Sequence, residues 1–321
     1  EKKRTKAIQK LLKSLHPGYV IPDGASFTGL VLSGRDLERT RFTNCSLKNT
    51  KLRECLFRGA VFIGCDFTGA DFRKSDLADT IFDRCNFSAA DLRHCNLSRA
   101  RIIDSNLLVV NFDHCTLDEA VIDTCSMEAP SFYNSSCKGV TYSNIQVTNG
   151  FFAGTDMSAA SMSNVFFREC TLTDTHFDKA VIDQCSFRGC DSFQQGAIFS
   201  YCIMKGVVIM DCALEESEFV CAKLSNSRFE RVSMGSALLD GAIFENVVFD
   251  AGTMTNCYAL EEAPIFNACQ LKNVVIENAD FSNADFNNSV FIGATINGSD
   301  FENWTVDNTQ MDANTTIQVD Q

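Results

Sequence analysis

The chain has 321 residues, 45% apolar and 21% charged, and a formal net charge of −13. That balance excludes a polar, disordered chain, and no run approaches the roughly 18 apolar residues that would cross a membrane as a helix. The sixteen cysteines fall below the density of about 8–10% that marks a small disulfide scaffold, so free thiols in a reducing cytoplasm are expected. The charge is uneven along the chain. Residues 1–22 hold six Lys/Arg against one acid, residues 23–110 hold 13 against 11, residues 111–239 hold 8 against 16, and residues 240–321 hold 1 against 13.

The first element, residues 1–16, places Ala7, Ile8, Leu11, Leu12 and Leu15 on one face of a 3.6-residue period, with Lys2, Lys3, Lys6, Lys10 and Lys13 largely elsewhere. "HPGYVIPDG" then ends the helix. Such a helix is expected to cap the open edge of whatever follows; a basic helix can also touch an acidic membrane. The chain starts at Glu1 rather than Met, so an upstream segment is expected and a targeting signal cannot be judged.

From Phe27 to Phe187 every fifth residue is apolar, all 33 positions being Phe, Leu, Ile, Met, Val, Cys or Tyr. A helix repeats at 3.6 and a strand at 2, so this period demands a repeat architecture. The frame slips by two residues around "GCDSFQQGAIF" and again around "YALEEAPIF", then runs from Phe266 to Met311.

A small residue sits two positions before each centre. It reads Cys45, Cys55, Cys65, Ser75, Cys85, Cys95, Ser105, Cys115, Cys125, Ser135, interleaved with Thr50, Ala60, Ala70, Thr80, Ala90 and Ala100. If like stacks on like, a period of ten requires an even number of five-residue sides per turn; three sides would lay Cys on Ala, and four do not.

The units "CDFTG", "AADLR", "ADFRK", "ADFSN" and "ADFNN" resemble the pentapeptide-repeat family: a small residue, Asp or Asn, Leu or Phe, a polar residue, then often Gly. The resemblance covers about residues 25–313. It implies an all-β fold, a right-handed quadrilateral parallel β-helix of about fourteen coils at the usual strand spacing, with a short N-terminal helical cap. The division expected is a basic amphipathic helix and cap over 1–22, the repeat helix over 23–313 with slips near 188–198 and 259–265, and a polar tail over 314–321.

Cysteine then reads as a small buried residue filling the corner of a narrow core. No CxxC zinc spacing occurs, and no metal or cofactor is expected. Nucleophile elbow, P-loop, HExxH and EF-hand patterns are also absent, so no enzyme is expected within these residues. Flat faces can bind instead, because residues twenty apart become neighbours in a column.

Three surface features are candidates. Arg53, Arg73 and Arg93 stack, flanked by Lys74 and His94, with Glu54, Asp71 and Asp91 alongside to neutralise them. Val61, Ile63, Ile81, Ile103 and Val121 fall on outward positions of another side, where exposed apolar area marks an interface. Glu277, Asp280, Asp285, Asp300 and Glu302, with Asp307 and Asp312, form an acidic surface. The resemblance implies a non-enzymatic protein-interaction rod, as in bacterial effectors acting on host proteins in the host cytosol. The alternative within the family is an acidic DNA mimic that binds a type II topoisomerase such as gyrase. A protein partner is expected in both cases, with no direct nucleic-acid binding; residues 1–16 offer a route to a membrane.

Overall fold

The computed structural model describes residues 9–192 and 194–318. The chain divides into two compact units, Glu1–Phe151 and Phe152–Gln321, and the quadrilateral parallel β-helix read from the repeat is the fold of each.

In the first unit, the strands Arg41–Thr43, Val61–Ile63, Ile81–Asp83, Arg101–Ile103, Val121–Asp123 and Thr141–Thr148 pair in parallel, each twenty residues from the next. The centres of the five-residue repeat point inward from all sides. Phe62, fully buried, stacks on Phe42 at 4.6 Å and on Phe82 at 5.1 Å, and meets Phe57 and Phe67 edge-on. These are the separations that aromatic pairs prefer, and they explain why one side-chain shape recurs. At one coil the pattern changes: the centre after Cys137 is Tyr142, and both are buried. The small thiol side chain beside Tyr142 leaves room for its hydroxyl, and burial raises that group's pKa.

Each side ends in a left-handed corner. Asn, Asp and Gly suit that conformation, as at Asn44 and Asn49. The polar residue immediately before the corner is often tied down by the Asp or Asn two positions before it. Asp66 Oδ1 accepts from the Thr68 N–H at 3.0 Å and its hydroxyl at 2.6 Å, and Asn86 holds Ser88 in the same way. This Asx turn is the physical reason for the Asp/Asn position in the repeat.

In the second unit the step is twenty residues except at three places, the last a one-residue slip that sets Thr295 against Thr316. His176 pairs with Ile198, Val181 with Ile203 and Ser186 with Val208, each 22 apart; Ile243 with Ile265 and Val248 with Gln270 are 22 apart as well. The extra residues bulge out of the coil and the ladder resumes. At the first bulge the chain needs Gly196, because a Cβ there would run into the Glu216 carbonyl.

Residues 9–14 are helical. The Arg35 guanidinium donates to the Leu12 carbonyl at 3.0 Å, tying this turn to the first coils. Lys2, Lys3, Lys6, Ala7 and Ile8 lie outside the described residues, as does the end of the polar tail.

Candidate functional site

The arginine column of the first unit is internally neutralised. Asp71, only 5% exposed, accepts from Arg53 Nε at 2.6 Å and from Arg73 Nε and Nη2 at 2.9 Å, with Lys51 Nζ at 3.6 Å. One coil on, Asp91 accepts from Arg93 at 2.9 and 2.7 Å and lies 3.4 Å from Arg73. Partial burial works against the Asp91 carboxylate, but the Arg93 hydrogen bonds and nearby guanidinium charge outweigh it and hold its pKa below the usual range. Like charges at strand spacing would repel; alternation with carboxylates removes that cost.

Beyond Arg93 the same side turns aromatic. His94 stacks on His114 at 5.0 Å, His114 meets Tyr133 edge-on at 5.5 Å, and Tyr133 lies 5.9 Å from Phe151. This side is therefore a solvated, mixed-charge surface ending in exposed rings.

The aliphatic candidates occupy two parallel columns of one side. One runs Arg41, Val61, Ile81, Arg101, Val121 and the other Thr43, Ile63, Asp83, Ile103, Asp123. Val61, Ile63, Ile81, Ile103 and Val121 are half-buried, because neighbours one coil above and below cover their flanks. Arg101 interrupts the first column, and Asp83 pairs with Arg84 at 3.0 Å. The result is a flat patch of aliphatic side chains interleaved with charge.

The acidic residues of the second unit do not share one track. Asp280 stacks on Asp300, but Asp285 lies between Ile265 and Thr305, and Glu277 between Thr255 and Asn297. Several serve the fold. Asp280 Oδ1 accepts from the Ser282 N–H and hydroxyl at 3.0 and 2.7 Å, Asp285 from the Asn287 N–H at 2.8 Å, and Asp300 from the Glu302 N–H at 2.9 Å.

Sequence reasoning missed the apolar side chains that stand out furthest from the second unit's strands. Val181 (46% exposed), Tyr201 (55%) and Ile203 (53%) adjoin one another. The frame slip concealed them, since a constant step of twenty would have stacked Val181 on Tyr201 rather than on Ile203.

All sixteen cysteines are free, and all but Cys221 are buried. Their role is finer than filling space: Cys55 Sγ donates to the Leu32 carbonyl at 3.2 Å, and Cys95 and Cys115 do the same to Phe72 and Leu92. Ser75 makes the equivalent bond to Leu52 at 2.6 Å, which explains why Ser replaces Cys in the column. Burial pushes the Cys95 thiol pKa up to about 12, so it is a poor metal ligand or nucleophile. Among the described residues no group of three or more His, Cys, Asp or Glu side chains is placed to hold a metal ion.

The sequence is matched by family profiles of known proteins. The family profile described as pentapeptide repeats, in eight copies, matches residues 23–59, 40–79, 152–191 and 265–303, and the pentapeptide repeat region profile matches 75–152. No curated protein matches the chain. Among solved structures, it is similar to HetL of the cyanobacterium Nostoc, a pentapeptide repeat protein involved in heterocyst differentiation regulation. The identity is 15%, over 94% of this chain and 92% of that one, with a TM-score of 0.17. It is also similar to QnrB1, a plasmid-mediated fluoroquinolone resistance protein, with 14% identity over 81% and 92% of the two chains and a TM-score of 0.25. A pentapeptide repeat protein of the Arabidopsis thaliana thylakoid lumen is 21% identical over 41% and 68%, at a TM-score of 0.18. With profiles matching well over half of its length and a five-residue repeat built on buried Phe, Leu and Cys, the chain belongs to the pentapeptide-repeat family.

Proposed function

We propose that the chain is a non-enzymatic scaffold that binds a protein partner through the side of the first unit bearing Val61, Ile63, Ile81, Ile103 and Val121. The observation that carries this reading is the interleaving of half-buried aliphatic groups with Arg41 and Arg101 on one flat side. Apolar contact with arginine among it is the chemistry of protein interfaces. Pentapeptide-repeat proteins are generally structural or interaction proteins, which supports the reading. A bacterial effector engaging a host protein is the setting proposed for it.

The test is affinity capture from human and bacterial lysates with the intact chain and with a Val61→Lys, Ile81→Lys, Ile103→Lys variant. Loss of a captured protein without change in thermal melting is expected. Equal capture by both would refute the assignment of this side.

A second reading, mimicry of duplex DNA toward gyrase, is motivated by 24 Asp/Glu against 8 Lys/Arg in residues 152–321. Duplex DNA carries a charge about every 1.7 Å along its axis, whereas the carboxylate columns here are broken by Thr and Asn after one or two coils. The scaffold reading is therefore placed first. Failure to inhibit gyrase supercoiling at micromolar protein would remove the second.

A further inference from the structure

The exposed apolar cluster of the second unit is framed by lysines. Three successive coils place Lys179, Val181 and Asp183 beside Tyr201, Ile203 and Lys205, and these beside Cys221, Lys223 and Ser225. Ile203 thus sits at the centre of a grid, with Val181 on one side of it, Lys223 on the other, Lys205 along its own strand and Tyr201 at the corner that precedes it. Lys179, Lys205 and Lys223 are exposed, and none forms an ion pair among the described residues. In a unit with only eight cations, three unpaired ones around one apolar patch form a local positive site. Asp183 is the one carboxylate within the grid.

The same unit carries the complement. The bulge at 259–263 projects Leu260, 73% exposed, followed by exposed Glu261 and Glu262. Its backbone is held rigidly: Asp240 Oδ1 accepts from the N–H groups of Leu260, Glu261 and Glu262 at 2.9, 2.6 and 2.9 Å, a backbone nest around a carboxylate. Beside it, a cleft of about 400 Å³ is lined by Glu261, Glu262, Asp280, Ser282 and Asn283. Bulge and patch lie along the same corner column, which runs Tyr201, Cys221, Gly241, Ala263, and the Glu262 side chain of the bulge lies against Gly241. Three coil spacings separate them, about 14 Å.

We propose that this side of the second unit is a self-complementary interface on which a second copy of the chain docks antiparallel. A two-fold axis lying along the strands, between the coils of Lys223 and Ile243, preserves position along the strand and reverses coil order. It sets the bulge of each copy over Tyr201 of the other, Ile203 against Ile265, and Lys179 toward the acidic cleft. Both contacts form twice, as an isologous dimer requires. An acidic, apolar segment of this chain is favoured over an anionic membrane, because a bilayer would face the negative charge of the whole unit while a docked bulge meets only the local lysines.

Six coils by one side span roughly 29 by 13 Å at ordinary strand dimensions, about 400 Å² per copy. This is below the roughly 1,200 Å² total of a stable complex, so the dimer is a weak, concentration-dependent one.

The test is sedimentation equilibrium of the purified chain alone, from about 5 to about 500 µM, a range suited to weak association. A monomer–dimer equilibrium that weakens as salt is raised, and that is lost in Ile203→Asp, is expected. The decisive arm mixes two charge-reversed chains, Lys179→Glu/Lys223→Glu and Glu261→Lys/Glu262→Lys. Each should be monomeric alone and dimeric with the other, a rescue that misfolding could not produce. Monomer throughout, dimerisation indifferent to these substitutions, or binding of the monomer to anionic vesicles through the lysines would each overturn the proposal. None of these results bears on the partner-binding side of the first unit.

Discussion

Replacing Phe62 by Ala isolates what the core stack contributes. Phe62 has no exposed surface and touches four rings, Phe42, Phe57, Phe67 and Phe82, at 4.6 to 5.5 Å. Phe→Ala in a core costs about 3–5 kcal/mol, and the aromatic contacts put this site toward the upper end, about 4–5 kcal/mol. Phe62→Leu, a residue the repeat accepts at other centres such as Leu77 and Leu92, should cost only about 1 kcal/mol.

The loss should also be local, since each coil of a solenoid touches only its neighbours. In native-state hydrogen exchange, amides between residues 42 and 82 should lose protection by a factor of about 10³, the equivalent of about 4 kcal/mol. Amides near Met127 and Val147 should be unchanged. Equal costs for Ala and Leu, or a uniform loss across the first unit, would refute the stacked-ring account.

Two other outcomes follow from the buried polar groups. Asp71→Ala leaves Lys51, Arg53 and Arg73 facing one another. Breaking a buried pair costs about 3–5 kcal/mol, but the arginine side chains are 46% and 31% exposed, and solvent reduces the expected loss to about 1–2 kcal/mol; urea melts should show it shrinking at high salt. Titration with a thiol reagent at pH 8 should modify Cys221 quickly and the fifteen buried cysteines only on unfolding. Cys95, with a pKa raised to about 12, then holds only about 10⁻⁴ of its thiol as thiolate, and rapid reaction of several thiols in the folded chain would contradict the packing described.

The fold was legible because every side repeats the same demand. Period five named the architecture, and the Cys/Ala alternation required an even number of sides, since side chains stacked twenty apart must match in size. The Asp/Asn position was readable as part of the repeat, but its part in holding the residue before each corner was not, because that depends on the hydrogen bonds of the folded turn. Burial of the cysteines was equally readable, although their thiol donation to carbonyls such as Leu32 and Phe72 was not, because it depends on the distance between one coil and the next.

The surface was much less legible. Outward positions are not constrained by the core, so the pattern said that Val61 and Ile81 face out but not that coils above and below half-cover them. The arginine column illustrates the same limit: its neighbours in sequence suggested neutralisation, while the burial of Asp71 between two guanidinium groups emerges only when residues 18 apart meet. Two inserted residues at one bulge were enough to bring Val181 to Ile203, and two more at the next to project Leu260. Periodicity records which side chains must be inside; which outer ones adjoin depends on register, and register is set by where the coil bulges.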